Sequence, residues 1–268
     1  MGEQSQPPSM ASKYYRVSDW RAGAASFGHA AGVVIAAFLL GILLQYVAAF
    51  ALAAAGVVSI EALADPEISI PPGVNAVVAA VQFVGFGVAV YAYLRWRDVT
   101  LFEVDLPDLR DVAWTIGGFV ALVLASLAVS LVIQALGVET ATNQVIELGQ
   151  ENPVLFLYMI PVTILFVAPA EEALFRGVVQ GLFRRTYGVV PAVLVASALF
   201  GVAHWLALTG GGRLTYIAVA AVLGIVLGTV YELSENLLVP IAIHGAWNAF
   251  LFGSQYLVAS GAIDASGM

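Results

Sequence analysis

Cysteine is absent from the chain, so disulfide frameworks, thiolate metal sites and a cysteine nucleophile are excluded together. Charge is almost as scarce. Asp, Glu, Lys and Arg make up 10% of the 268 residues, and Lys13 is the single lysine among ten cations that face eighteen acids. A net charge of -8 leaves no basic stripe to neutralise a phosphate backbone, which excludes nucleic acid as a partner. Apolar residues take the remaining space. They form 61% of the chain, with a mean hydropathy of +0.93, and a water-soluble domain with that balance would expose large apolar patches. The bilayer is therefore the first constraint on the fold. The shortage of lysine beside abundant alanine, valine and glycine is a bias of the kind expected of a salt-loving archaeon.

Long apolar runs replace the missing charge. A helical span needs about 20 mostly apolar residues, and the stretches 25–58, 74–94, 112–136, 153–183, 189–208, 214–231 and 237–258 qualify. This predicts an all-α, polytopic transmembrane helical bundle of seven spans. A break of the first at Gly41, or of the fourth at Pro161 and Pro169, would raise the count to eight. The runs lack the alternation of a membrane β-strand, so a closed barrel is rejected. Residues 1–22 are expected to form a disordered cytoplasmic tail, without the features of a cleavable signal. The bundle would occupy 23–258, and 259–268 a short C-terminal tail. No internal repeat and no inverted pair of interrupted segments is evident, which weakens a transporter reading.

Orientation follows from the cations, which are retained on the cytoplasmic side. Lys13, Arg16 and Arg21 precede the first span, Arg95, Arg97 and Arg110 separate the second from the third, and Arg184 and Arg185 follow the fourth. All fall on the inner side of the cell (cytoplasmic) membrane if the N-terminus is cytoplasmic. The opposite loops hold Glu61, Asp65, Glu67, Glu139, Glu147 and Glu151, with Arg213 the only cation. An odd number of spans would leave the C-terminus outside.

Against this background a few polar residues stand out, because an ionisable group within a span costs roughly 2.5 kcal/mol or more. The fourth segment reads AEEALFRGVVQGLFRR, the fifth ALFGVAHW and the seventh VPIAIHGAWNAF. Glu172 and Arg176 are four apart, in the favourable acid-before-base order, and can neutralise each other in a supporting role. Glu171 is turned about 100° away, without that partner, and is free to face a different cavity as a general base. His204 follows Phe200 by one turn. His244 and Asn248 share one face of the seventh segment. Measured from the cytoplasmic ends at about 1.5 Å per residue, Glu171 lies about 21 Å deep, His204 about 22 Å, Asn248 about 16 Å and His244 about 10 Å. His29, near the mouth of the first span without a polar neighbour at helical spacing, reads as interfacial. Gly224 and Gly228 read as a small-xxx-small pair for close helix packing.

Taken in order, Glu171-Glu172-x-x-x-Arg176, Phe200-x-x-x-His204 and His244-x-x-x-Asn248 resemble the CPBP family of intramembrane proteases. That family includes the CAAX prenyl endopeptidases of the Rce1 type and the Abi, or bacteriocin-processing, proteins. The resemblance covers about 153–252, and the first three spans are too generic to count. It implies hydrolysis of a peptide bond in a membrane-anchored substrate, lipidated or not, with Glu171 activating the water, His204 holding it, and His244 and Asn248 stabilising the oxyanion. Glu172, Arg176 and Phe200 would support the site. A polar cavity opening to the cytoplasm would admit the water. No cofactor is required on this reading. Family members are often described as metalloproteases, however, and His204, His244 and Glu171 leave a two-His, one-carboxylate zinc site open. Against zinc stand the missing HExxH helix and the double duty it would ask of Glu171 as ligand and base.

Two other functions compete. A non-catalytic scaffold or immunity-type membrane protein would keep the same cluster as ion pairs that hold helices together. A proton or ion carrier would use the intramembrane carboxylates and histidines directly.

Overall fold

The computed structural model describes residues 13–14, 19–65 and 68–263. Most of the expected N-terminal tail, Arg16, Glu67 and residues 264–268 of the C-terminal tail lie outside them. Helix α1 spans Trp20–Ala54, starting where the Asp19 side chain accepts the Arg21 N–H at 3.3 Å. A short helix α2, Ile60–Ala64, follows on a Ser59 cap. Helix α3, Pro72–Arg97, has proline in its first turn, where the missing N–H costs nothing, and Arg95 and Arg97 in its last. Helix α4, Leu109–Leu136, opens on a capping box of Asp108 with Asp111 and closes on Gly137 at φ 61°, a left-handed stop that suits glycine.

Strand β1, Thr142–Asn143, pairs antiparallel with β2, Leu208–Thr209. This minimal ladder ties the amphipathic helix α5, Gln144–Glu151, to the end of the fifth segment, and Thr209 adds a hydrogen bond to Glu147. Helix α6 runs Val154–Tyr187, α7 Val189–Ala203 with a tighter 3₁₀ turn at His204–Ala207, α8 Arg213–Ser234 and α9 Leu238–Ala259.

The molecule is thus an all-α bundle, but the span count differs from the seven to eight expected. Among the described residues, six helices are long and apolar enough to cross a membrane: α1, α3, α4, α6, α7 with its 3₁₀ extension, and α8. Helix α9 has the length, at 22 residues, but His244, Trp247, Asn248 and Gln255 dilute its apolar content. Neither expected break occurs. Gly41 lies inside α1 as a contact point, where a Cβ built on the facing Gly85 would come 2.7 Å from its Cα. Pro161 and Pro169 leave α6 continuous, and the backbone widens just ahead of Pro169. Thr163–Val167 is π-helical, and the Ala168 N–H reaches the Thr163 carbonyl five residues back. The wider turn accommodates a proline ring that would otherwise meet the preceding turn's carbonyl.

The largest core cluster joins α1, α3, α6 and α7 through Phe86, Phe175, Phe183 and Phe200. A second joins α4, α8 and α9 through Leu122, Leu227 and Ile243. At the arginine-rich end, the connection before α4 is fastened by Asn236, whose amide donates to Asp111 at 2.9 Å and to the Asp105 carbonyl at 3.0 Å. Phe102 of that connection lies against Gly177 of α6. Helix α6, a member of the largest cluster, carries the carboxylates.

Candidate active site

Helix α6 is π-helical a second time over Ala173–Gln180, directly after the two glutamates, and such widened turns are frequent at functional sites. Glu172 and Arg176 form the expected pair, with Nε 3.1 Å from Oε2 and both side chains almost wholly buried. The guanidinium is held further by a bond from Nη2 to the Gly224 carbonyl at 3.3 Å and by the Phe200 ring, whose centroid lies 4.4 Å from Cζ. The cation-π contact is most effective where water is excluded, as here.

His244 departs from the expected arrangement. Its Nδ1 lies 2.8 Å from Glu172 Oε1, and its Nε2 lies 3.7 Å from Glu171 Oε2. The two carboxylates therefore do not face separate cavities. The imidazole, with a nitrogen on each side, sits between adjacent residues of α6 and meets both. A carboxylate oxygen accepts, so Nδ1 donates to Glu172; 3.7 Å at Nε2 is longer than a hydrogen bond, and that contact is electrostatic. Glu171 is the less enclosed of the two, with 14% of its side chain exposed against none for Glu172.

His204 stands at the start of the 3₁₀ turn after α7. Its Nδ1 is 2.8 Å from the Phe200 carbonyl. A carbonyl only accepts, so Nδ1 carries the hydrogen and a neutral His204 presents a lone pair at Nε2. Phe200 packs between the two histidines, with ring centroids 4.8 Å from His204 and 5.9 Å from His244. Asn248 lies one turn beyond His244 and donates from Nδ2 to Thr163 Oγ1 at 3.1 Å. Among the described residues, no group of three or more His, Asp or Glu side chains is placed to hold a metal ion.

Around Phe200 the fold thus gathers Arg176, His204 and His244, with both glutamates against His244 and Asn248 against the Thr163 turn. His29 lies apart, against Tyr93 and Trp96 at centroid distances of 5.9 and 6.1 Å. Several partners went unread in the sequence. Gln180 donates from Nε2 to the Gly228 carbonyl at 3.1 Å and to Glu232 at 2.8 Å, and Glu232 also meets Arg184 at 3.3 Å. The signal for Gln180 was available, since Glu172, Arg176, Gln180 and Arg184 recur every four residues. Thr163 and Tyr216, whose ring lies 5.9 Å from His204, carried no such signal.

The fold is that of a polytopic helical membrane protein in which Glu171, Glu172 and His244 meet, with His204 beside them across the Phe200 ring. Residues 153–250 match the family model described as "Type II CAAX prenyl endopeptidase Rce1-like", over the same stretch whose three motifs resemble the CPBP, or CAAX protease, family. No curated protein and no solved structure matches the chain. The family is one of intramembrane endopeptidases, so the class of activity is peptide-bond hydrolysis at a membrane and the class of substrate is a membrane-embedded protein.

Proposed function

We propose that the protein cleaves a membrane-anchored peptide with a water activated by Glu171, and the observation that carries this reading is the grip of Glu171 and Glu172 on His244. Glu172 is committed to Arg176 and to His244 Nδ1. Glu171 meets only the far side of the imidazole, at longer range, and retains exposed surface. A carboxylate so placed can take a proton from water while its neighbour holds the scaffold. His204, its tautomer fixed by the Phe200 carbonyl, offers the Nε2 lone pair to the other hydrogen of that water.

His244 then serves the oxyanion. With Nδ1 engaged by Glu172, Nε2 is the ring atom left to face the substrate carbonyl. The oxyanion donors can contribute about 3 to 4 kcal/mol to the barrier in a site of low dielectric. Asn248 contributes by turning its amide from Thr163 towards the substrate carbonyl.

The charge distribution supports a cytoplasmic N-terminus. Lys13 lies near Glu235, Arg110 donates to the Leu233 carbonyl, and Arg185 donates to the Thr100 carbonyl, so the cations of three connections gather at one end of the bundle. The retention of Lys and Arg on the cytoplasmic side supplies the sign.

The decisive experiment captures substrate on a Glu171→Gln form in native membranes, identifies the bound peptides, and incubates them with the unsubstituted protein. Cleavage by the unsubstituted protein and none by Glu171→Gln is the expected result. Full cleavage by Glu171→Gln would overturn the mechanism, and an intact cellular phenotype without cleavage would favour the scaffold reading.

A further inference from the structure

The stripe of α8 between Gly224 and Gly228 is bordered by three buried polar atoms without a hydrogen-bond partner among the described residues: Arg176 Nη1, Gln180 Oε1 and Ser197 Oγ. A fourth such atom, Glu172 Oε2, has the Arg176 Nε charge at 3.1 Å. All three side chains lie against this stripe. A Cβ added at Gly228 would stand 2.8 Å from Gln180 Oε1, and one at Gly224 would stand 3.2 Å from Ser197 Cβ. Arg176 reaches the same turn through Nη2 on the Gly224 carbonyl. All three side chains are at most 1% exposed, and groups so buried are almost always satisfied in native proteins.

The chemistry of the three atoms selects the ligand. Nη1 only donates, Oε1 only accepts, and a serine hydroxyl does both. An anion would face the Gln180 carbonyl oxygen with Glu172 and Glu232 at either end of the stripe, and a cation would face the Arg176 guanidinium. A neutral molecule that donates and accepts in equal measure satisfies all three, and buried water bonded to two to four polar partners is the ordinary solution. At one end lie Glu232 and the partly exposed Arg184, 3.3 Å apart. At the other lie Glu172 and His244.

We propose that the Gly224–Gly228 stripe of α8 holds a file of buried water that runs from the Arg184–Glu232 pair to Glu172 and supplies the hydrolytic site from the arginine-rich end of the bundle. The supply role rests on the hydrolytic reading above; the water file itself does not. The glycines serve as its floor, because any side chain at Gly228 would meet Gln180, and Gln180 is the latch that spans the file to Glu232.

The absence of cysteine makes the test direct. The full chain is reconstituted in liposomes with a single Ser197→Cys substitution and exposed to Ag⁺, a thiol-binding ion of nearly the size of water, and remaining thiols are counted with a maleimide after unfolding. Arg184→Cys marks the mouth, and Leu131→Cys marks the outward apolar face, where Leu131 is exposed on α4. Ser197→Cys is expected to react within about tenfold of the mouth position and about a hundredfold faster than Leu131→Cys, as water contact requires. Adding Gly228→Ala should slow it by about tenfold, because the methyl takes the space beside Gln180. Val193→Cys, whose side chain lies 3.3 Å from the Gly228 Cβ position, is the second probe should the serine variant fail to fold. Reaction of both probes at no more than the Leu131→Cys rate would overturn the water file. No substrate enters the assay, so that outcome would leave the protease reading standing.

Discussion

Helices α1 and α3 cross where Gly85 faces the backbone of Gly41, and Phe38, Phe83 and Phe86 close over the contact with ring centroids 4.9 and 5.1 Å apart. Helix α7 packs on α8 over Gly224 and Gly228, where added Cβ atoms would come 3.2 Å from Ser197 and 3.3 Å from Val193, and there the glycines present carbonyls to Arg176 and Gln180 of α6. Both crossings use the device that lets helices pack in lipid, small residues at the point of approach. They differ in what is admitted once the backbones are close. At the first crossing only rings enter, and the contact is dispersion. At the second, buried polar groups need acceptors, the glycine carbonyls provide them, and the helix pair supports an ionised cluster. A small-xxx-small pattern in a span is therefore not by itself a sign of inert packing. Its meaning depends on whether the facing helix carries apolar or polar residues at four-residue spacing.

The comparison can be broken or sharpened at both crossings. The largest effects belong to groups that touch the chemistry. Glu171→Gln and His204→Ala should each lower cleavage by about 10²- to 10⁴-fold, the usual range for a general base and its helpers, while detergent-resistant melting stays near that of the unsubstituted protein. Arg176→Met should cost about 3 to 5 kcal/mol, because it takes the cation from a wholly buried Glu172 and leaves Oε2 without its partner. Adding Glu172→Gln to it removes the stranded carboxyl group, keeps an acceptor for His244, and should restore much of the melting temperature without restoring activity. If the two substitutions proved additive in reversible unfolding, the ion pair would not be the element that holds α6.

Smaller effects are expected where no charge is involved. Gly85→Ala presses a methyl against the Gly41 backbone and should destabilise by about 1 to 3 kcal/mol, as overpacking does, with cleavage per folded molecule unchanged. A loss of cleavage there would mean that the apolar crossing also shapes the site. Asn248→Ala removes one interhelical hydrogen bond and should cost about 0.6 kcal/mol in unfolding. Its cleavage should fall by much more than that, since its amide is assigned to the oxyanion. Equal small losses in both measurements would make Asn248 a packing residue only.

Much of this was legible in the chain. The runs of apolar residues specify spanning helices because lipid offers no partner for an open backbone. The i, i+4 relation of Glu172 to Arg176 and of His244 to Asn248 is local, so their shared faces could be read off spacing. The seventh span was counted as an apolar run of sufficient length, although His244, Trp247, Asn248 and Gln255 lower the apolar content of α9. Pro161 and Pro169 signalled breaks, but neighbouring helices and a π-turn can resolve a proline within a membrane helix, and no local rule announces that outcome.

What the sequence determined by itself is the inventory: an all-α membrane bundle, and the few polar residues whose cost in hydrocarbon demands a use. Tertiary structure alone decided that both glutamates meet one imidazole, that Phe200 stands between the two histidines, and that Gln180 joins Arg176 on the glycine stripe of α8. The reason is physical. Spacing fixes which side chains leave a helix on the same side, whereas the distance and rotation between helices come from packing over many residues, and those two quantities decide which side chains meet.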